Sequence, residues 1–123
     1  VTDRAVTLFE AHFKRNYIHV RDVARVFLHG LDNFETMRGE PYNVGLSDAN
    51  LSKAELCMRI QTQIPEFVYL EAKIGQDPDR RNYMVSNEKV EATGFVPVSS
   101  LDNGIAELKK GYTMLRNTLY GNV

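Results

Sequence analysis

Arg15-Asn16-Tyr17-Ile18-His19-Val20-Arg21-Asp22-Val23-Ala24 changes its hydrophobic spacing within a few residues, and that change decides the fold class. Asn16 to Val20 reads as a strand. From Val20 onward the apolar residues Val20, Val23, Ala24, Phe27, Leu28, Leu31 and Phe34 recur at helical spacings of three and four. Arg21, Arg25, His29 and Asp32 fall on the opposite face, and Gly39 ends the region. Asp22 lies in the first helical turn, where the exposed N–H groups favour a negative charge.

Upstream, Ala5 to Phe9 is an apolar, β-branched run, and Glu10 to Lys14 is a polar break. The two flanking strands therefore suggest a hairpin or paired strands. Downstream, Tyr42 to Leu46 reads as a short strand closed by Gly45 or Ser47. Ser52 and Glu55 have the spacing of a capping box. Leu56, Ile60 and Ile64 line the helix that follows, and Pro65 stops it. Phe67 to Ile74 reads as a strand, Gly75 to Arg81 as a polar loop, and Asn82 to Val85 as a short strand. Ser86 caps a short helix that Gly94 terminates. A final helix, capped by Ser99 or Ser100, carries Leu101, Ile105, Leu108, Tyr112, Leu115 and Leu119 as one apolar stripe, which reads as core. This order of short strands and about four helices is a mixed α/β fold.

The 123 residues are 43% hydrophobic and 25% charged, as in an ordinary soluble domain. A net charge of −1 does not suggest a nucleic-acid or membrane-surface binder. Apolar runs fall short of the ~20 residues of a membrane span, and the N-terminal stretch lacks the layout of a signal peptide. A lone cysteine, Cys57, permits no internal disulfide, fits a reducing cytoplasm and reads as a small apolar filler. His12, His19 and His29 form no metal-ligand spacing with one another or with Cys57. Val1 to Ala5 carries neither a start methionine nor a helix cap, as expected of a chain that opens in mid-fold.

The opening stretch resembles the arginine-aromatic-Ile-His-Val-x-Asp-Val-Ala segment of extended short-chain dehydrogenases/reductases, a family of NAD-dependent nucleotide-sugar epimerases and dehydratases. Further segments follow in the family's order: Gly39-Glu40-Pro41-Tyr42-Asn43-Val44-Gly45, Leu51-Ser52-Lys53-Ala54-Glu55-Leu56, Arg81 through Lys89 to Gly94-Phe95, and Ser100-Leu101-Asp102-Asn103-Gly104-Ile105. The resemblance covers nearly the whole chain. It implies that residues 1–123 are the C-terminal substrate-binding portion of an extended Rossmann-type enzyme. Residues 41–46 would then be a strand of the missing Rossmann sheet. Parts of the Val20–Phe34 stripe would pack on that missing domain, and the isolated chain would self-associate. The alternative is a stand-alone, non-catalytic ligand-binding or assembly module.

The departures bear on activity. The family's NAD(P) site needs a Gly-rich turn at a helix N-terminus, and the eight glycines here are scattered. Its catalytic pair is a Tyr with a Lys four residues later on a helix. Tyr69-x-x-x-Lys73 has that spacing but lies in a stretch that reads as a strand, where residues four apart are roughly 13 Å apart. No catalytic, cofactor or metal residue is therefore expected in this chain, and NAD(P) would belong to the full-length parent. Arg15 and Arg81 match family arginines that approach the diphosphate of the nucleotide-sugar substrate, a task suited to a permanently charged fork of donors. Arg80, adjacent to Arg81, could take its place. The plain alternative for each is a solvated or salt-bridged surface charge. His19 reads as a satisfied structural histidine. Asp77 and Asp79 would orient the arginines or make a turn at Pro78.

Overall fold

A computed structural model describes residues 3–76, 78, 79 and 81–115. Arg80, Asp77 and Leu119, all singled out in the sequence, lie outside the described residues. The described part is mixed α/β, with four short strands and five helices. The strands are β1 (Ala5–Leu8), β2 (Lys14–Asn16), β3 (Asn50–Ser52) and β4 (Val68–Glu71). The helices are α1 (Val20–Asp32), α2 (Phe34–Met37), α3 (Lys53–Gln63), α4 (Glu88–Glu91) and α5 (Leu101–Met114).

The expected pairing of the first two strands does not occur. β1 runs parallel to β4, with Ala5 opposite Val68 and Leu8 opposite Glu71. β2 runs antiparallel to β3, with Lys14 opposite Ser52 and Asn16 opposite Asn50. Between β1 and β2 the chain turns at Glu10, whose φ is +49°, and Phe13 N–H bonds Glu10 C=O at 3.0 Å. That turn sends the strands into separate sheets. A β-branched run marks a strand without naming its partner.

Residues 41–46, read as a strand of a sheet whose other strands lie outside this chain, form no ladder among the described residues. A strand exists only through its neighbour, and this segment meets side chains instead. Tyr42 and Val44 pack on the cluster of Met37, Val90 and Phe95. Leu46 N–H bonds Tyr17 C=O at 3.2 Å and Asn16 Oδ1 at 3.1 Å. Gly45 is required by this close approach: a Cβ there would sit 1.5 Å from Asn16 Oδ1. Residues 82–85 also lack a ladder. The Asn50 side chain stands in for a strand, donating to Val85 C=O at 2.9 Å and accepting from Val85 N–H at 2.8 Å.

The helices begin and end largely as their caps dictate. Ser52 Oγ accepts from Glu55 N–H at 3.1 Å and Glu55 Oε2 from Ser52 N–H at 2.7 Å, completing the capping box. α3 stops at Gln63, two residues before Pro65, because the residue preceding proline is pushed out of the helical region. Gly94 closes α4 with φ +91°, a left-handed conformation that favours glycine. α5 starts at Ser100, whose Oγ accepts from Asn103 N–H at 3.2 Å.

Burial departs furthest from expectation. One small core joins Leu8, Ala11 and Cys57 under Phe67 and Tyr69; the other is the Met37–Val90–Phe95 cluster. Burial pushes the Cys57 thiol up, so it stays protonated and acts as filler. The α5 stripe is core only at its start. Ile105 is buried, whereas Leu108, Tyr112 and Leu115 are exposed. α5 leans on α3 through Arg59–Asp102 at 3.1 Å, Gln63 Nε2 to Asp102 C=O at 2.9 Å and Lys109 Nζ to Gln63 C=O at 2.8 Å, and Tyr112 and Leu115 lie beyond these contacts. On α1 the pattern is inverted. Phe27 and Leu31 are 72% and 69% exposed, while the buried residue is Asp22, at 0%.

Asp22 joins α1 to the approach of α5. Its carboxylate accepts from Val98 N–H at 3.1 Å and Ser99 N–H at 3.0 Å, and Arg25 Nη1 lies 2.8 Å away. Burial alone would raise this carboxyl. The N–H donors and Arg25 outweigh it and hold the group below its ordinary value. Asp22→Ala should cost about 2–4 kcal/mol, because two N–H groups lose their acceptor and Arg25 its partner. The lowered folded-state value also fixes a sign. The Asp22 contribution is complete above the unfolded-state value of about 3.9 and is lost as pH falls through the lower folded value. Urea midpoints measured down this acid range should fall for the wild type and fall less steeply for Asp22→Asn; parallel curves would remove Asp22 from the acid response.

Candidate functional site

The β2 strand places Arg15 over Asp79, Arg81 and Tyr83. Arg15 Nη1 donates to Lys14 C=O at 2.8 Å and to Arg81 C=O. Nη2 donates to Asp79 C=O at 3.1 Å and lies 3.3 Å from Asp79 Oδ2. The guanidinium carbon sits 5.2 Å from the centre of the Tyr83 ring, and the Arg15 side chain is only 15% exposed. Arg15 is thus a clamp on the backbone of this loop as well as a charge. The loop is seated further by Lys14 N–H to Asn82 Oδ1 at 2.9 Å and by Tyr83 N–H to Lys14 C=O at 3.4 Å.

Arg81 approaches the same carboxylate from outside. Its Nε lies 2.6 Å from Asp79 Oδ1 and its Nη2 2.8 Å from Asp79 Oδ2. This two-pronged geometry is the one a guanidinium uses for carboxylate or phosphate. The Arg81 side chain is 72% exposed. Hydrogen bonding from Arg81 first, and the nearby charges of Arg81 and Arg15, hold the Asp79 carboxyl well below the usual carboxylate range. Two arginines 66 residues apart in sequence therefore converge on one anionic group. Beneath them Tyr17 is half-buried, and burial pushes its phenol up, so it remains a neutral hydroxyl.

Asp79 was read as a residue that orients the arginines or makes a turn, and it orients both. Asn82 and Tyr83 were read only as part of a short strand. Their signal was weak, because an aromatic and an amide flanking a loop arginine are common surface residues. Asp22 was read only as a first-turn charge, and its two backbone partners lie 76 and 77 residues away. His19 caps α1, its Nδ1 accepting from Arg21 N–H at 3.1 Å, while its Nε2 lies 3.3 Å from Glu107.

Other chemistry finds less support. Tyr69 sits on β4, a strand that ends at Glu71, so it makes no helical pair with Lys73. Among the described residues, no group of three or more His, Cys, Asp and Glu could hold a metal, and no helix is long and apolar enough to cross a membrane. An open cleft of about 250 Å³ lies between α1 and the Gly94–Val96 segment. Its cation Arg25 is committed to Asp22 and Val96 C=O, and His29 Nε2 is 2.8 Å from Thr93 Oγ1.

No family model matches the chain. The structure is similar to the crystal structure of a GDP-D-glycero-L-gluco-heptose synthase from Campylobacter jejuni determined in the presence of NADPH. The TM-score is 0.68 at 17% identity, with 89% of this chain and 33% of that chain covered. The chain thus spans about a third of the length of that enzyme. At this identity the likeness shows the fold. The mixed α/β arrangement of short strands and five helices matches the fold of about a third of that neighbour's chain.

Arg15→Met keeps the aliphatic stem and removes the clamp. Losing charge-assisted bonds to two loop carbonyls and Asp79 should raise hydrogen exchange at Tyr83 N–H about tenfold or more, with the amides of α3 unchanged. Equal exchange in both proteins would mean that the loop is seated without Arg15.

Proposed function

We propose that this chain is the nucleotide-sugar-binding C-terminal portion of an NAD-dependent epimerase or dehydratase, acting in the cytoplasm. Its task in that reading is to hold the substrate's diphosphate with Arg15 and Arg81. The observation that carries the reading is the convergence of both guanidiniums on the Asp79 carboxylate. A site that grips a carboxylate in this way has the charge and fork geometry for a phosphate oxygen. The likeness to a portion of a GDP-heptose synthase supports the same class.

In this reading the chain itself binds no NAD(P). A pyrophosphate would need an open helix N-terminus with a Gly-rich approach. The long helices α1, α3 and α5 have their first turns capped by His19, Ser52 and Ser100. Cofactor and general base belong, in this reading, to a preceding Rossmann domain. The apolar face of α1 would rest on that domain, and residues 41–46 would add to its sheet.

Isothermal calorimetry with NAD at millimolar concentration should give no heat of binding to the 123-residue chain; micromolar affinity would overturn the division of labour. In the full-length parent, Arg81→Ala should weaken nucleotide-sugar binding about tenfold or more, the worth of a charge-assisted bond of about 1.5–3 kcal/mol, while NAD binding holds. Unchanged affinity would return Arg81 to a surface charge.

The uncovered face of α1 and the segment 41–46, which joins no ladder among the described residues, also predict association of the isolated chain. Light scattering across a concentration series should show mass above the 14.0 kDa monomer. A sharp monomer at every concentration would favour a stand-alone module that closes its own edges.

A further inference from the structure

We infer that Asp79 is a built-in competitor for the anion site, which an incoming diphosphate must displace from Arg15 and Arg81 and which turns away ligands carrying a single carboxylate. This inference rests on the reading of Arg15 and Arg81 as the diphosphate grip and adds the gate to it. Both Asp79 oxygens are engaged, Oδ1 by Arg81 Nε at 2.6 Å and Oδ2 by Arg81 Nη2 at 2.8 Å and Arg15 Nη2 at 3.3 Å. Asp79 therefore fills the Nε/Nη2 fork of Arg81 and one Nη2 contact of Arg15, whose Nη1 and Nη2 also hold backbone carbonyls.

The backbone around the carboxylate has its own bonds to Arg15, separate from those the carboxylate makes to the two guanidiniums and to Arg81 N–H at 3.3 Å. Arg15 holds the carbonyls of Asp79 and Arg81, so the loop keeps its seat when the side chain leaves. The Asp79 side chain is 39% exposed, so rotation about its own bonds carries it into water without moving β2. The exchange is then one of anion for anion.

Charge decides which anions succeed. Arg15, Arg81 and Asp79 together carry a single positive charge. A free carboxylate would replace an intramolecular carboxylate with an identical group and also lose its translational freedom. A diphosphate brings more than one charge and several acceptor oxygens, so it engages the Arg81 fork together with the Arg15 Nη2 contact that Asp79 releases, and gains where the carboxylate does not. The Asp79 carboxyl lies below the usual range, as a group strongly held by these cations does.

The test titrates inorganic pyrophosphate and acetate into the wild-type chain, Asp79→Asn, Asp79→Ala and Arg81→Ala. Removing the competitor should tighten pyrophosphate about three- to tenfold, the modest range of an exposed but bidentate pair. It should also let acetate bind measurably where the wild type does not take it. Arg81→Ala should weaken pyrophosphate about tenfold or more. Equal or weaker pyrophosphate binding in both Asp79 variants, with Arg81→Ala still impaired, overturns the gate and leaves the grip standing. Pyrophosphate affinity that does not respond to Arg81→Ala overturns the grip, and the gate with it. A readout in the wild type needs no variant to fold. Saturating pyrophosphate should shift the Asp79 carboxyl ¹³C and Arg81 Nε ¹⁵N resonances together. Movement of Arg81 with a stationary Asp79 counts against displacement.

Discussion

The buried carboxylate of Asp22 sets the geometry on which the rest of the chain depends. It lies at 0% exposure and is satisfied by two backbone N–H groups and one guanidinium. A lone buried carboxylate is costly, and one with this many donors locks the elements that supply them. Here those elements are the first turn of α1 and the Val98–Ser99 segment. Ser100, the next residue, caps α5, so the direction of α5 follows from the anchor. Arg21 and His19 reinforce the crossing by sharing Glu107, at 3.1 and 3.3 Å.

The candidate site stands on a separate footing, the short antiparallel pair of β2 and β3. Three residues per strand make a weak sheet by themselves. The pair is extended by amide side chains. Asn16 bonds Leu46 C=O at 2.9 Å, Asn50 brackets Val85, and Asn82 receives Lys14 N–H. These contacts carry residues 82–85 alongside the strands and bring Arg81 within reach of Arg15. The site is thus built from asparagine side chains acting as spare backbone, and only then from arginines.

Much of this was legible in the sequence, and the boundary of legibility is physical. Caps and breakers act within a few residues, so Ser52 with Glu55, Pro65, Gly94 and Ser100 marked their helix ends where the structure has them. Pairing depends on residues far apart, and the hairpin read for β1 and β2 gave way to a parallel β1–β4 and an antiparallel β2–β3. The same limit hid Tyr83 and the roles of Asn50 and Asp22, whose partners lie 35 to 77 residues away. Arg15 and Arg81 came from resemblance, and the structure brings them together at Asp79. Their contact with a substrate stands as a proposal.

Periodicity identifies which residues share a helix face without saying what that face meets, and α1 shows why this matters. Asp22 and Phe27 are five positions apart, which turns them about 140° around the helix axis. Once Asp22 is fixed inward by Val98 and Ser99, the turn of the helix carries Phe27 and Leu31 outward, where they are 72% and 69% exposed. No rotation of α1 could bury both the carboxylate and the stripe against this chain. The stripe is therefore not a poorly packed core. It is a second face that the Asp22 anchor holds away from the first, with Phe27, Leu28 and Leu31 presented side by side. An apolar face held outward by a buried carboxylate has the properties of a contact surface, and that is why the reading of α1 as a seat for a neighbouring domain rests on the anchor as much as on the hydrophobic residues themselves.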